Sequence, residues 1–300
     1  MNGNGSNNGN KILKMGIPKG SLQDITISIF KKAGFTIKLN GRSYYPEIDD
    51  MEIQCILIRA QEMARYVEEG VLDCGITGKD MIVESNADVV EMAELLYAKR
   101  GLGKVKWVVA VPVDSEIKKI KDLEGKHIAT EAVNLAKKYL EKHGITNAKI
   151  EFSWGATEAK PPELADAIIE VTETGESLKE NNLRILDIVM ESTTRFIANK
   201  KSSEDSWKRN KMEKIILLLE GALNAEEKVG LKMNIQSKNL SSILALLPAL
   251  KKPTINTLTE SGWMAIEVIV DEKIVRELIP KLRKAGAEGI IEYPLNKVIF

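Results

Sequence analysis

Hydrophobic positions along the chain fall into short runs that alternate with amphipathic helical patterns. Several runs end in a loop that leads directly into a helical segment. The runs lie at 12–17, 53–58, 71–76, 105–111, 127–130, 148–152 and 164–171. Buried strands that alternate with helices in this way predict an α/β architecture with mostly parallel strands.

The order of elements changes after a long, charged helical pattern at 203–230. Beyond Gly230 the pattern predicts a strand, a helix, two strands, a helix and a final strand. This βαββαβ order is the ferredoxin-like plan, which is common in domains that sense small molecules. We therefore predict a separate C-terminal domain that begins at Gly230.

Composition narrows the class of protein. The 300 residues include 43 Lys and Arg against 43 Asp and Glu, so no global positive field favours nucleic acid or a membrane surface. Only two cysteines occur, outside any CxxC arrangement, which indicates a reducing cytoplasm. No apolar run reaches the ~18–20 residues of a membrane span. Residues 1–10, rich in Asn and Gly, predict a disordered leader rather than a signal peptide.

The segment at 164–178, LADAIIEVTETGESL, carries the clearest chemical signal. An apolar strand with Asp166 and Glu170 runs into a turn of small hydroxyl residues and glycine before a helix, namely Thr172, Thr174, Gly175 and Ser177. Hydroxyls and N–H groups at a helix N-terminus suit a phosphate, and the two carboxylates suit sugar hydroxyls or magnesium. An ordinary capped helix after a buried strand fits the same residues, and spacing alone favours it.

Three other loops carry candidate binding residues. Lys19 in PKGSL and Arg59 both follow predicted strands, where open α/β sheets bind ligands. A basic loop, AKRGLGKVK at 98–106, suits a polyphosphate, and DCGITGKD at 73–80 forms a possible second ligand wall. Taken singly, Lys19 and Arg59 fit solvated charges better, and a solvated loop or a helix cap explains the other two loops at least as well. The sequence shows neither a catalytic triad nor the G-x-G-x-x-G of a dehydrogenase.

Three motifs taken together resemble one enzyme family. PKGSL at 18–22, EEGVLDCGITGKD at 68–80 and GATEAKPPELADAIIEVTETGESL at 155–178 resemble ATP phosphoribosyltransferase, the first enzyme of histidine biosynthesis. KKPTINTL at 251–258 and AGAEGII at 285–291 resemble the extra domain of its long form. The resemblance implies two periplasmic-binding-protein-like lobes, with lobe 1 at 11–107 and 192–229 and lobe 2 at 108–191. A regulatory domain at 230–300 would follow.

The resemblance also implies site residues. In the family a TGxS/T turn holds the 5-phosphate of phosphoribosyl pyrophosphate, and this turn matches Thr172, Glu173, Thr174, Gly175, Glu176 and Ser177. The acidic position before it, often Asp in the family, is Glu170 here, and Asp166 stands with it as an acidic candidate. Lys19 and Arg59 match positions near the nucleotide and the pyrophosphate. The family pattern after that arginine departs here at Glu62, to which we assign no role.

In the family, adenine N1 of ATP attacks the anomeric carbon and magnesium pyrophosphate leaves with inversion. No protein nucleophile is needed, so we assign no catalytic residue, and the Mg²⁺ ligands remain unassigned. The resemblance further implies inhibition by L-histidine and a homo-hexamer in equilibrium with a dimer. The positions that match the histidine site are Asn234, Leu250, Thr254 and Gly289.

A non-catalytic two-lobed receptor for an anion or an amino acid, joined to a sensor domain, is the main alternative. The absence of a signal-like segment argues against a periplasmic receptor, while the TETGES turn favours a sugar phosphate.

Overall fold

The computed structural model of the protein describes residues 11–98, 103–248 and 253–300. The chain forms two compact units. Among the described residues, one unit contains 11–31 together with those of 35–216, and the other contains 32–34 together with those of 217–300. Among the described residues, no helix is both long and apolar enough to cross a membrane.

The larger unit alternates strands and helices along the chain. Its strands are β1 (Leu13–Lys19), β2 (Ile37–Lys38), β3 (Glu47–Ile48), β4 (Ile53–Arg59), β5 (Cys74–Gly78), β6 (Val90–Leu95), β7 (Val105–Pro112), β8 (His127–Thr130), β9 (Lys149–Phe152), β10 (Ala167–Thr172), β11 (Leu183–Ser192) and β12 (Thr194–Ala198). The helices that begin in this unit are α1 (Gln23–Ala33), α2 (Ala60–Glu68), α3 (Lys79–Ser85), α4 (Val133–Lys142), α5 (Glu176–Glu180), α6 (Lys200–Glu204) and α7 (Ser206–Ala225).

Two five-stranded sheets divide this unit into two lobes. The first sheet has the order β4-β1-β5-β12-β6 and the second has the order β11-β7-β10-β8-β9. Strands β4, β1 and β5 are parallel, and β12 is antiparallel to β5. The chain passes from the first sheet to the second between β6 and β7, and it returns between β11 and β12. The predicted lobe bounds at 107/108 and 191/192 stay predictions.

Apolar side chains at helical spacing attach α2 to the first sheet. Met63, Ala64 and Val67 are buried on one face of α2. A Cβ atom on Gly16 of β1 or on Gly75 of β5 would lie 2.2 or 2.6 Å from the Met63 Sδ atom. Glycine at these two positions therefore allows the helix to pack directly on the strand backbone.

The second lobe has its own core. Trp107, Val109 and Val111 of β7 pack with Ile128 of β8 and with the buried face of α4. The α4 side chains in this core are Leu135, Ala136, Tyr139 and Leu140. The i, i+1, i+4, i+5 spacing of these residues is the apolar stripe that predicted a helix here.

The smaller unit has the predicted element order. Its elements after α7 are β13 (Lys228–Gln236), α8 (Leu240–Leu246), β14 (Thr254–Thr257), β15 (Trp263–Asp271), α9 (Glu272–Lys284) and β16 (Ala287–Pro294). The strands form an antiparallel sheet in the order β14-β15-β13-β16. The predicted α/β class with a ferredoxin-like C-terminal part is confirmed. Gly230 lies inside β13, and the boundary predicted there stays a prediction.

Candidate active site

A cavity of about 460 Å³ is lined by residues of both lobes, and we call it the central cleft. Residues after the carboxyl ends of β1, β4 and β5 form one wall, among them Ser21, Gln61 and Asp80. The turn after β10 forms the opposite wall together with Glu131, which follows β8. The carboxyl ends of parallel strands are where α/β proteins bind ligands.

The turn between β10 and α5 is short and is closed by hydrogen bonds between its own residues. Gly175 has φ +79°, a left-handed conformation that favours glycine. Its N–H donates to the Thr172 hydroxyl at 2.8 Å, and the Glu176 N–H contacts the Thr174 hydroxyl at 3.4 Å. Five residues of this turn line the cleft: Thr172, Glu173, Thr174, Glu176 and Ser177. The Thr172 hydroxyl therefore closes the turn before α5 while this turn lines the cavity.

Glu170 is buried just before this turn. Its side chain is 7% exposed, and burial raises the pKa of its carboxyl to about 7. Hydrogen bonds from Thr157 and from the Val171 N–H oppose this shift, and the nearby carboxylates of Glu131 and Glu158 add to it. Near neutral pH both the protonated and the ionised form of this carboxyl are therefore populated.

Asp166 directly precedes β10, near the end of that strand opposite to Glu170, and its assignment to the substrate site stays a prediction. Its Oδ2 atom accepts a hydrogen bond from the His127 N–H at 2.8 Å. The strand places it about 20 Å from Thr172 at ~3.3 Å per residue. Asp166 and Glu170 therefore lie near opposite ends of β10.

Lys19 and Arg59 are neighbours, because β1 and β4 pair in parallel with these two residues in register. They line a second pocket of about 460 Å³ together with Tyr44, Tyr45 and Tyr66. The Lys19 Nζ atom lies 3.9 Å from the centre of the Tyr44 ring and lowers the pKa of that phenol. Lys99 and Arg100 of the predicted basic loop lie outside the described residues, and Lys104 pairs with Glu191 at 3.0 Å.

The central cleft is acidic within the part of the chain that the structure describes. Asp80, Glu131, Glu173 and Glu176 line it, and no described Lys or Arg does. The described residues also contain no group of three or more His, Cys, Asp or Glu side chains that could hold a metal ion. A polyanionic ligand in this cleft therefore needs cations from elsewhere.

Comparison with known proteins agrees with this geometry. Residues 59–221 match the family model described as ATP phosphoribosyltransferase, and residues 225–297 match that of the HisG C-terminal domain. The chain belongs to the ATP phosphoribosyltransferase family. The family member from Chlorobium chlorochromatii is 60% identical over 292 residues, which cover 97% of this chain and 99% of that one. The one from Thermodesulfovibrio yellowstonii is 60% identical over 289 residues, or 96% and 99% of the two chains.

A solved structure of the family shares the fold. A chain of the ATP phosphoribosyl transferase (HisG:HisZ) complex from Thermotoga maritima aligns with a TM-score of 0.59 at 30% identity. The alignment covers 70% of this chain and 99% of that one. The predicted family and two-lobed fold are confirmed.

The residues matched to the family's histidine site lie in the smaller unit. A Cβ atom on Gly289, which has φ +55°, would lie 3.8 Å from the Asn234 Nδ2 atom, so these two positions are close. Thr254 lies on β14, which β15 separates from the β13 strand that carries Asn234. Leu250 lies outside the described residues.

Sequence patterns did not single out several cleft residues of this ATP phosphoribosyltransferase. Trp107 and Tyr97 stand in apolar runs that predict only core, and Ser192 ends a strand with no motif around it. Glu131 directly follows a predicted strand, as Arg59 does, so its position in the sequence is sufficient to mark it as a candidate binding residue. Asp73, by contrast, bonds the Lys14 N–H, the Ser202 hydroxyl and the Lys208 ammonium at 2.6–2.8 Å and has a structural role.

Proposed function

We propose that the central cleft is the place where the phosphoribosyl group of phosphoribosyl pyrophosphate is transferred to N1 of the adenine of ATP. This reaction releases pyrophosphate and opens histidine biosynthesis. The observation that carries the assignment is the Thr172–Ser177 turn, which places the N-terminus of α5 and its hydroxyl groups on the cleft wall. Such a terminus suits the 5-phosphate of the sugar.

The transfer needs alignment more than it needs a reactive side chain. The N1 lone pair forms a bond to the anomeric carbon while the bond to the pyrophosphate oxygen breaks, and the electron pair leaves with pyrophosphate. Inversion follows, because attack and departure are on opposite faces. We assign the backbone N–H groups and hydroxyls of the turn Thr172, Glu173, Thr174, Gly175, Glu176 and Ser177 to the 5-phosphate, and the Glu170 carboxylate to the ribose hydroxyls. Holding both reactants in line supplies much of the acceleration.

Lys19 and Arg59 are assigned to the phosphate chains of the substrates. The in-register pairing of β1 and β4 places these two cations side by side, and like charges on paired strands repel each other. No ion pair within the described ranges involves either residue. A bound polyphosphate would remove this repulsion.

Mg²⁺ fits the donor set of the cleft. Magnesium is usually bound by one or two carboxylates together with substrate phosphates, not by a complete protein cage. Glu131 and Glu173 are cleft carboxylates that would complete such a shell. When bound, the ion would stabilise the negative charge of the departing pyrophosphate.

We further propose that L-histidine inhibits the enzyme through the smaller unit, at Asn234, Leu250, Thr254 and Gly289. We keep the predicted domain bounds. Lobe 1 comprises 11–107 and 192–229, lobe 2 comprises 108–191, and the regulatory domain comprises 230–300. The enzyme would act in the cytoplasm as a homo-hexamer in equilibrium with a dimer. The closeness of Asn234 and Gly289 supports the inhibitor site.

Pyrophosphate release from the purified protein tests the proposal. The assay contains ATP, phosphoribosyl pyrophosphate and Mg²⁺, with or without L-histidine. In further assays each of the three components is omitted in turn. We expect release only with all three and suppression by histidine. If histidine does not change pyrophosphate release, the enzymatic activity is supported and the proposed inhibitor site is rejected. Binding of both substrates without release would instead support a non-catalytic receptor.

A further inference from the structure

Helix α3 packs against both lobes. Its Ile82 side chain belongs to the core of the first lobe, with Met63 and Val67 of α2. Its Met81 and Val83 side chains pack against the core of the second lobe. This short helix is therefore part of the joint between the lobes, in addition to the two chain crossings.

The end of α3 caps a helix of the other lobe. The Glu84 carboxylate accepts hydrogen bonds from the Asn134 N–H at 3.1 Å and from the Leu135 N–H at 2.8 Å, at the start of α4. The Asn134 side chain returns a bond to the Glu84 carbonyl at 2.9 Å, and Lys138 donates to the Val83 carbonyl at 3.2 Å. The N-cap residue of α4 is Ala132, which has no side-chain acceptor. Glu84 thus supplies a cap that α4 lacks in its own lobe.

The other end of α3 is bonded to the strands beside the crossings. Asp80 lies one helical turn before Glu84 and so shares a face with it. Its carboxylate accepts hydrogen bonds from the Trp107 indole N–H and from the Ser192 hydroxyl, both at 2.7 Å. Trp107 is in β7 and Ser192 ends β11. One acidic face of α3 is therefore hydrogen-bonded to the second lobe at both of its ends.

Fixing the start of α4 also fixes a wall of the central cleft. Glu131 lines the cleft and lies three positions before Asn134, in the short segment that leads into the helix start bonded by Glu84. We propose that Glu84 is a positioning residue, which caps α4 across the lobes and thereby keeps the Glu131 wall at the separation that the reaction needs. The kinetic part of this inference rests on the proposed function, whereas the geometric part does not.

The size of the effect follows from a lobe-opening equilibrium. Loss of hydrogen bonds to a charged acceptor shifts such an equilibrium by about tenfold or more. The apparent affinity falls in proportion to the closed fraction, so we expect Glu84→Ala to raise KM for phosphoribosyl pyrophosphate several-fold. At saturating substrate, kcat would stay within about twofold, because substrate binding restores the closed arrangement. Glu84→Gln keeps one acceptor oxygen and would recover part of the affinity.

The experiment combines a distance with kinetics. Spin labels are attached through Ser28→Cys on α1 and Lys137→Cys on α4, two exposed positions in different lobes. The native Cys55 and Cys74 are buried and would remain unlabelled. Without substrates, we expect the label distance to lengthen and broaden in Glu84→Ala and to recover partly in Glu84→Gln. Glu141→Ala, an exposed carboxylate change on α4 itself, is the control and would leave both distance and KM unchanged.

An unchanged distance distribution in Glu84→Ala would overturn the inference, as would an equal change in Glu141→Ala. If Glu84→Ala does not fold, the distance in Glu84→Gln decides. The label distance could lengthen in Glu84→Ala although the unchanged protein releases no pyrophosphate. This result would support the role of Glu84 in joining the lobes and would reject only the proposed function. The two failures are therefore distinguishable.

Discussion

The two ends of the strands in the larger unit differ in what their acidic residues do. At the amino ends of β5 and β10, Asp73 and Asp166 accept hydrogen bonds from backbone N–H groups of neighbouring strands. Beyond the carboxyl end of β5, Asp80 lines the central cleft, and near that of β10 Glu170 is buried with a raised pKa. In the sequence, Asp73 cannot be told apart from Asp80, nor Asp166 from Glu170, because each is an acidic residue next to an apolar run. Position along a strand, not residue type, therefore decides which of these carboxylates lie at or beside the central cleft.

The turn after β10 provides the strongest test of this contrast. Gly175→Ala places a side chain at φ +79°, which strains the backbone by ~1–2 kcal/mol and displaces the N–H groups assigned to the 5-phosphate. We expect kcat/KM to fall about 100-fold or more, as removal of one such group does elsewhere. Steady-state pyrophosphate release measures this.

Gly125→Ala is the matched control for this change. Gly125 has φ +74°, and a Cβ atom there would meet no atom within 4 Å. The same strain would therefore arise in a turn that does not line the cleft. We expect a similar loss of stability with unchanged kcat/KM, and an equal loss of activity in both variants would reject the role of the turn.

Glu170 in β10 and Asp166 directly before this strand allow a direct comparison. Glu170→Gln is expected to lower kcat/KM by about 10- to 100-fold, because an amide replaces the carboxylate assigned to the ribose hydroxyls. Asp166→Ala is expected to change kcat/KM less than twofold and to lower the free energy of unfolding by ~1–3 kcal/mol, since the His127 N–H loses its acceptor. Kinetics and urea unfolding of both variants measure these effects. A large loss of kcat/KM in Asp166→Ala together with a small one in Glu170→Gln would contradict the contrast between the two strand ends.

The cations at the ends of β1 and β4 should show a smaller effect. Lys19→Met is expected to raise KM for a substrate about tenfold, because one charge-assisted contact to phosphate is lost. Lys104→Met, in an exposed ion pair with Glu191, would change KM less than twofold. Equal KM values in the two variants would remove Lys19 from the substrate site.

Buried Glu170 also predicts a pH dependence of stability. Its pKa rises from a usual value near 4.5 to about 7 in the folded chain, so the folded state binds more protons between these values. Its contribution to stability is therefore complete below pH ~4.5 and is lost as pH rises through 7. Between pH 5 and pH 8, we expect Glu170→Gln to gain about 1–3 kcal/mol relative to the unchanged chain. Urea unfolding at several pH values measures this difference, and a constant difference would contradict the burial argument.

Local sequence patterns were sufficient for several features. The apolar runs predicted seven strands of the larger unit, namely β1, β4, β5, β7, β8, β9 and β10. The βαββαβ order predicted the smaller unit, and TETGES predicted a turn, in which Gly175 has φ +79°. Each depends on residues close together in the chain, where backbone conformation and the periodicity of burial are decided. The family followed from combining such local motifs.

Only the tertiary structure decided which of these residues meet. It separated Asp166 from Glu170 and placed Lys19 beside Arg59 and Tyr44, and it brought Glu84 to the start of α4. These relations depend on strand order, on the direction of each strand and on the packing of one lobe against the other. None of them leaves a periodic signal in the sequence, because the partners are many residues apart and each side chain is also typical of a solvated surface.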